Sequence, residues 1–375
     1  MRAIDEDQIW GYEYNDKWED IFAIQDDIAI KVAQELRIAL SPMEIQQIEK
    51  KPTDNLEAYK LYLKGNYHWQ LQTGEGYQLA FDYFEQALEK DPNYALAFTG
   101  IAMVYSQGTF FGYVSPNEAY PKVEEYVKRA LELDNTLAEA YVILGNINRL
   151  YDWNWKAAEQ NFIKALQLNP NSATFHMWYS FLLAFTERFE EAIAEAKRAQ
   201  ELDPLSSWIN THVGNIYTIA GQYDRAIEEL QMSLVLDPDY WLTHHFFGLA
   251  YVGKFMIEEA IVAYEKVADL KNDDPFNMVF RANAYYKTGQ KTKADNLFDS
   301  LKQRSRDRYI PPMCFCWIYQ ARGEMDLYYE WLEKACNEHD GFLPWFRVYP
   351  IERYRIPDEP KYNELLEKAG LFRYQ

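Results

Sequence analysis

The sequence has few cysteines, no long apolar run and no excess of basic residues, and each shortage excludes something. Its three cysteines, Cys314, Cys316 and Cys336, are too sparse and odd in number for a disulfide framework. They fit a reducing compartment. Cys314 and Cys316 are two residues apart, which on a helix points them in different directions, and no further Cys or His completes a tetrahedral metal set. All three therefore read as core residues. The longest apolar stretch, near Trp178 to Phe185, breaks at Thr186-Glu187-Arg188, short of the roughly 18 to 20 residues that span a bilayer. Lys and Arg number 38 against 58 Asp and Glu, and the resulting net charge of −20 has the wrong sign for phosphate backbones or anionic lipid surfaces. The start, Met1 to Asp7, is acidic where an export signal is basic and then apolar. A cytoplasmic chain with neither a membrane nor a nucleic-acid partner is expected. Its hydrophobic share of 48% and charged share of 26% exclude disorder as the main state.

Recognisable catalytic patterns are also missing. There is no Gly-rich phosphate loop followed by Lys-Ser/Thr, no G-x-S-x-G elbow and no H-E-x-x-H. Thr73-Gly74-Glu75-Gly76 reads as a turn between helices, and the abundant carboxylates, such as Glu190, Glu191 and Glu195, read as solvated helix faces. His176 and His244 read as packing residues, whereas His212 and His245 fall near an inner surface without a third metal ligand. The expectation is a protein that is not an enzyme, with no catalytic residue, cofactor or metal.

What the sequence does contain is a period. Ala158, Ala192, Ala226, Ala260 and Ala294 are spaced by 34 residues, as are Ser180, Gly214, Gly248 and Ala282, and Pro170, Pro204 and Pro238. Small residues in two columns let two helices approach closely, and large residues flank them at helical spacing, as Val213 and Tyr217 flank Gly214. Asp-Pro, as in Asp203-Pro204 and Asp237-Pro238, then stops the second helix. Each unit is thus helix, turn, helix, turn. The stretch Ser106 to Asn117 reads as an insertion between the helices of one early unit.

A helical hairpin of 34 residues with these small, aromatic and proline positions resembles the tetratricopeptide repeat over about residues 58 to 340. The resemblance implies an all-α fold, a right-handed α-solenoid superhelix of seven to eight helix-turn-helix repeats preceded by a small non-repeat segment. Three regions are expected: residues 1–57, with a short strand at Ile9 to Tyr14, a helical stripe from Trp18 to Leu40 and a capped helix start at Ser41-Pro42; the repeats at 58–340; and a capping segment at 341–375. The junction from Ile21-Phe22-Ala23 into Asn55-Leu56-Glu57-Ala58, and the tail Val348-Tyr349-Pro350 through Leu365-Leu366, resemble a bacterial family in which a TolB-like region precedes such repeats. That resemblance implies a fragment of a larger signalling protein, with the repeats behind an adenylate cyclase, a Ser/Thr kinase or a winged-helix module.

In the resembled fold the first helices line a concave channel. Carrying its inward positions over gives a peptide-binding groove of Asn146, Arg149, Met177, Phe181, Trp208, Thr211, Asn215, His245, Asn283 and Tyr286. Asn carries an acceptor and two donors, so Asn146, Asn215 and Asn283 suit the main chain of an extended peptide. A basic island from Lys287 to Arg308, with a local net charge of +4, is a candidate dock for an acidic partner. The expected function is a scaffold that binds a protein or peptide in the groove. A module for self-association, possible as a homo-oligomer, or for intramolecular regulation is the alternative, and an enzyme with a groove active site is disfavoured.

Overall fold

The computed structural model describes Lys31 and residues 50–71, 73–110, 112, 114–271, 274–349, 360–368 and 370. The strand, helical stripe and helix start expected before residue 50 therefore lie outside the described residues, Lys31 apart. The described residues are all-α and contain no strand.

Sixteen helices pair into eight consecutive hairpins, forming an α-solenoid: α1 (Leu56–Gln70) with α2 (Gly74–Lys90), α3 (Ala95–Phe110) with α4 (Pro116–Leu133), α5 (Ala138–Leu150) with α6 (Trp155–Leu168), and α7 (Ala173–Phe185) with α8 (Phe189–Leu202). Then come α9 (Ser207–Ile219) with α10 (Tyr223–Leu236), α11 (Trp241–Gly253) with α12 (Ile257–Lys271), α13 (Pro275–Lys287) with α14 (Lys291–Arg304), and α15 (Pro312–Arg322) with α16 (Met325–Asn337). Two short helices follow, α17 (Leu343–Val348) and α18 (Pro360–Lys368).

The columns of the sequence explain the pairing. The 34-residue alanines are fully buried on the second helices. Four residues after each comes the side chain that fills the hairpin: a methyl group added to Gly145 would meet the Phe162 ring at 2.9 Å, one on Gly214 would meet Leu230 at 2.6 Å, and one on Gly248 would meet Tyr264 at 2.2 Å. Glycine is required where the opposing side chain is this large, because the interior leaves no free volume.

Two further columns concern backbone. Trp153, Glu187, Gly221, Phe255, Gly289 and Gly323, again 34 apart, take a left-handed conformation at the turns inside the third to eighth hairpins. Three of the six are not glycine, so these turns hold strain that the others avoid. At the turns between hairpins, His176, Asn210 and His244 bond to the carbonyls of Pro170, Pro204 and Pro238, each six residues earlier. The two histidines placed as packing residues therefore also satisfy a carbonyl that the helix end leaves open. Burial pulls the His176 pKa down, but its bonds to Glu195 and to the Pro170 carbonyl outweigh this and raise it.

The stretch expected as an insertion is half helical, since α3 continues to Phe110 and α4 starts at Pro116. Within it Gly112 takes a positive φ of 72° and packs against Pro311, on the loop before α15. The solenoid thus curls until its second hairpin meets its eighth. A second closure lies at His339, whose ring stacks on Trp153 at 4.7 Å and whose Nδ1 is 2.7 Å from the Tyr151 carbonyl. Nearby, Trp155 Nε1 donates to the Gly370 carbonyl. All three cysteines are buried, with the Cys316 and Cys336 thiols donating to the Tyr328 and Leu365 carbonyls.

Candidate functional site: an occupied inner channel

The first helices face inward, and the segment after α16 crosses the space they enclose. Phe342 packs on Phe276 of α13 at 3.9 Å and near Trp317 of α15. Trp345 meets Phe181 and Phe185 of α7 edge-on at 5.6 and 4.6 Å, and Tyr349 approaches Phe280 of α13. α17 packs on both α7 and α5. The region expected as a terminal cap therefore divides: α18 packs on α16, while α17 lies in the channel.

Asp340 starts this segment. Its carboxylate accepts the backbone N–H of Met313, in the first turn of α15, and of Phe342. Burial raises its pKa to about 7, against the pull of those two bonds.

Arg149 lies where α5, α7 and α17 meet and is only 1% exposed. One guanidinium nitrogen donates to Asn146 Oδ1 at 2.9 Å, whereas Nε and Nη1 have no hydrogen-bond partner among the described residues. Rings surround it instead: Phe185, Trp178 and Phe181 have centroids 5.0, 5.6 and 5.7 Å from the guanidinium carbon. Burial without a carboxylate pushes its pKa down to about 9. A cation in this setting gains from the rings but lacks the charge partner that normally offsets desolvation.

The other groove residues are also more enclosed than an open surface requires. Met177, Phe181, Asn215, His245 and Asn283 are buried, while Asn146, Trp208 and Tyr286 are half-buried. Neither end of the Asn215 amide, nor the Asn283 oxygen, has a partner among the described residues, and the same holds for both ends of Asn277. Two of the expected side chains have partners within the scaffold. The Thr211 hydroxyl sits between Ser233 of α10 and Thr243 of α11, at 2.7 and 2.6 Å, and joins neighbouring hairpins. The Tyr286 hydroxyl donates to Asp295 of α14, which also pairs with Arg322 of α15. Both side chains are held by the scaffold because hydroxyl or carboxylate partners lie on adjacent helices. α17 and its flanking aromatics also fill part of the channel.

His212 and His245 lie apart, each within its own ring cluster: Trp208, Phe181 and Phe246 around the first, Phe246, Phe280 and Tyr264 around the second. Burial lowers both pKa values to about 3, with Lys271 adding to the effect at His245. No cluster of potential metal ligands occurs among the described residues. No helix of the described residues is long and apolar enough to cross a membrane. The basic island is largely exposed, with Lys302 paired to Asp299. Trp178, Phe185, Trp345 and Tyr349 pack on these residues but were not among those expected. The apolar run Leu343-Pro344-Trp345-Phe346 was the available signal for the last two.

No family model matches the sequence. Over 85 residues, the chain is 28% identical to the small glutamine-rich tetratricopeptide repeat-containing protein 2 of Mycosarcoma maydis, a match covering 23% of this chain and 24% of that protein. The chain thus spans about a quarter of the length of that curated relative. Among solved structures, it is similar to a tetratricopeptide repeat protein of Parabacteroides merdae, at 14% identity and a TM-score of 0.46, over 70% of this chain and 97% of the other. It is also similar to YrrB, described as a TPR protein with an unusual peptide-binding site, at 22% identity and a TM-score of 0.33, over 52% of this chain and 95% of that one. The pilus biogenesis factor PilW gives 19% identity and a TM-score of 0.45, over 56% and 92%. The hairpins and their 34-residue columns form an α-solenoid, and the matched relative is itself a tetratricopeptide repeat protein.

Proposed function

We propose that this chain is a non-enzymatic scaffold that binds a segment of a partner protein in its inner channel, as the regulatory or sensor part of a larger bacterial signalling protein. The observation that carries the reading is the series of buried polar groups Arg149, Asn215 and Asn283, with donors or acceptors unmatched by the described residues. Each unmatched buried group costs about 1 to 3 kcal/mol, a cost that an entering main chain with its own amides and carbonyls offsets. The surrounding rings supply apolar area, and hydrogen bonds at about 0.5 to 1.5 kcal/mol each do not reach micromolar affinity, about −8 kcal/mol, by themselves.

Selection of binders from a random peptide library on the intact chain tests this. Selected peptides should lose about tenfold or more in affinity on the Asn215→Ala, Asn283→Ala double variant. Peptides that bind both proteins equally would exclude the amide series as the recognition surface. A second reading, intramolecular regulation, is favoured by the position of α17 inside the channel.

A further inference from the structure

The occupied channel indicates what its partner looks like. The segment from His339 to Tyr349 places aromatic side chains at three levels of the inner wall, with Phe342 against α13 and α15, Trp345 against α7, and Tyr349 against α13. All three are buried, and α17 touches α5 and α7, nearly 200 residues earlier in the chain. Yet this occupant leaves the site's strongest group unmet. Its described residues contain one carboxylate, Asp340, which accepts from the Met313 and Phe342 amides. Arg149 meanwhile has two guanidinium nitrogens without partners, beside the same Phe181 and Phe185 rings that hold Trp345. A buried guanidinium presents its donors in a fixed fork that matches a carboxylate.

We infer that α17 is a resident pseudo-ligand, and that the channel's partner is a short aromatic helix that displaces it and presents a carboxylate to Arg149. This rests on the reading of the channel as a ligand site. The resident holds the ring pockets and keeps them from water. A partner with similar rings and a suitably placed Asp or Glu gains a charge-assisted pair that the resident lacks, and so competes with a segment that is always at hand. Binding is thereby reserved for segments that carry both features.

The test uses the full chain with Trp345→Ala, which weakens the resident, and a labelled, end-blocked peptide of residues 339–349 read by fluorescence anisotropy. This peptide should bind the variant at least about tenfold more tightly than it binds the parent chain. In a second set, Glu replaces one residue at a time from 342 to 348, Trp345 excepted. At least one member should gain about another tenfold on Trp345→Ala, and lose that gain when Arg149→Met is added.

Equal binding to variant and parent would overturn the pseudo-ligand. No gain from any Glu, or a gain that survives Arg149→Met, would overturn the carboxylate. If library-selected peptides bind the channel while these do not, this inference fails and the channel reading stands; if neither class binds, the channel reading itself falls. Circular dichroism checks that Trp345→Ala remains helical, and Tyr349→Ala serves as the receptor if it does not.

Discussion

The first three hairpins and the last five share one repeat pattern but join their cores differently. From α1 to α6 most buried apolar residues fall into small clusters, each spanning one or two neighbouring hairpins, the last of them shared with Phe175 and Leu182 of α7. From α7 onward a single cluster runs through α16 and includes Phe342, Trp345, Val348 and Tyr349, with Tyr362 and Leu365 of α18. A solenoid in which each repeat touches only its neighbours gains stability as a sum of local interfaces. The cores of the first hairpins follow that rule, although Gly112 packs against Pro311 and His339 stacks on Trp153. The last five depart from it, because one segment crossing the channel touches helices far apart in the array. Their stability is therefore coupled to whatever occupies the channel.

Trp345→Ala should break the contrast most strongly. Removing this buried ring is expected to cost about 3 to 5 kcal/mol, as large aromatic truncations in a core do. Denaturant unfolding should show a first transition from hairpins four to eight, with α5 of the third hairpin loosened and the first two hairpins unchanged.

Gly248→Ala comes next. The added methyl group would enter the Tyr264 ring, so a loss of about 1 to 3 kcal/mol in thermal stability is expected, confined to α11, α12 and their neighbours.

Acid should separate the two regions as well. His212 and His245, both in the large cluster, are held neutral down to about pH 3, so the stability they contribute is complete above the unfolded histidine pKa near 6.5 and is lost as pH falls. Asp340 acts in the opposite sense: with its pKa raised to about 7, its contribution is complete below the unfolded value and is lost as pH rises through 7. Two histidines outweigh one aspartate, leaving a net loss on the order of 1 to 2 kcal/mol between pH 7 and pH 5. The melting temperature should fall over that range, and His212→Leu with His245→Leu should abolish the fall.

The smallest effect has the opposite sign. Phe255 takes a positive φ while two-thirds exposed, so Phe255→Gly should raise stability by about 1 kcal/mol in a melting experiment.

The hairpins were legible because their cause is local and repeated. A 34-residue step in alanine, in Ser180, Gly214, Gly248 and Ala282, and in proline fixes which helix faces meet, whatever lies farther away. The placement of Asn146, Arg149 and Phe181 on first helices was legible for the same reason. Their burial was not, because it depends on curvature accumulating over several hairpins until His339 reaches Trp153. Nor was the role of Trp345, which occurs once and has no column to place it. The partners of Thr211 and Tyr286 were not legible, because Ser233, Thr243 and Asp295 reach them from adjacent helices.

The most direct test of an occupied, displaceable channel is hydrogen exchange compared between the parent chain and Trp345→Ala. The account predicts faster exchange in α5, α7 and α13, the helices that α17 and its flanking rings touch, with α1 to α4 unchanged. Loss of protection confined to residues 339–349, or spread evenly over all eight hairpins, would contradict it.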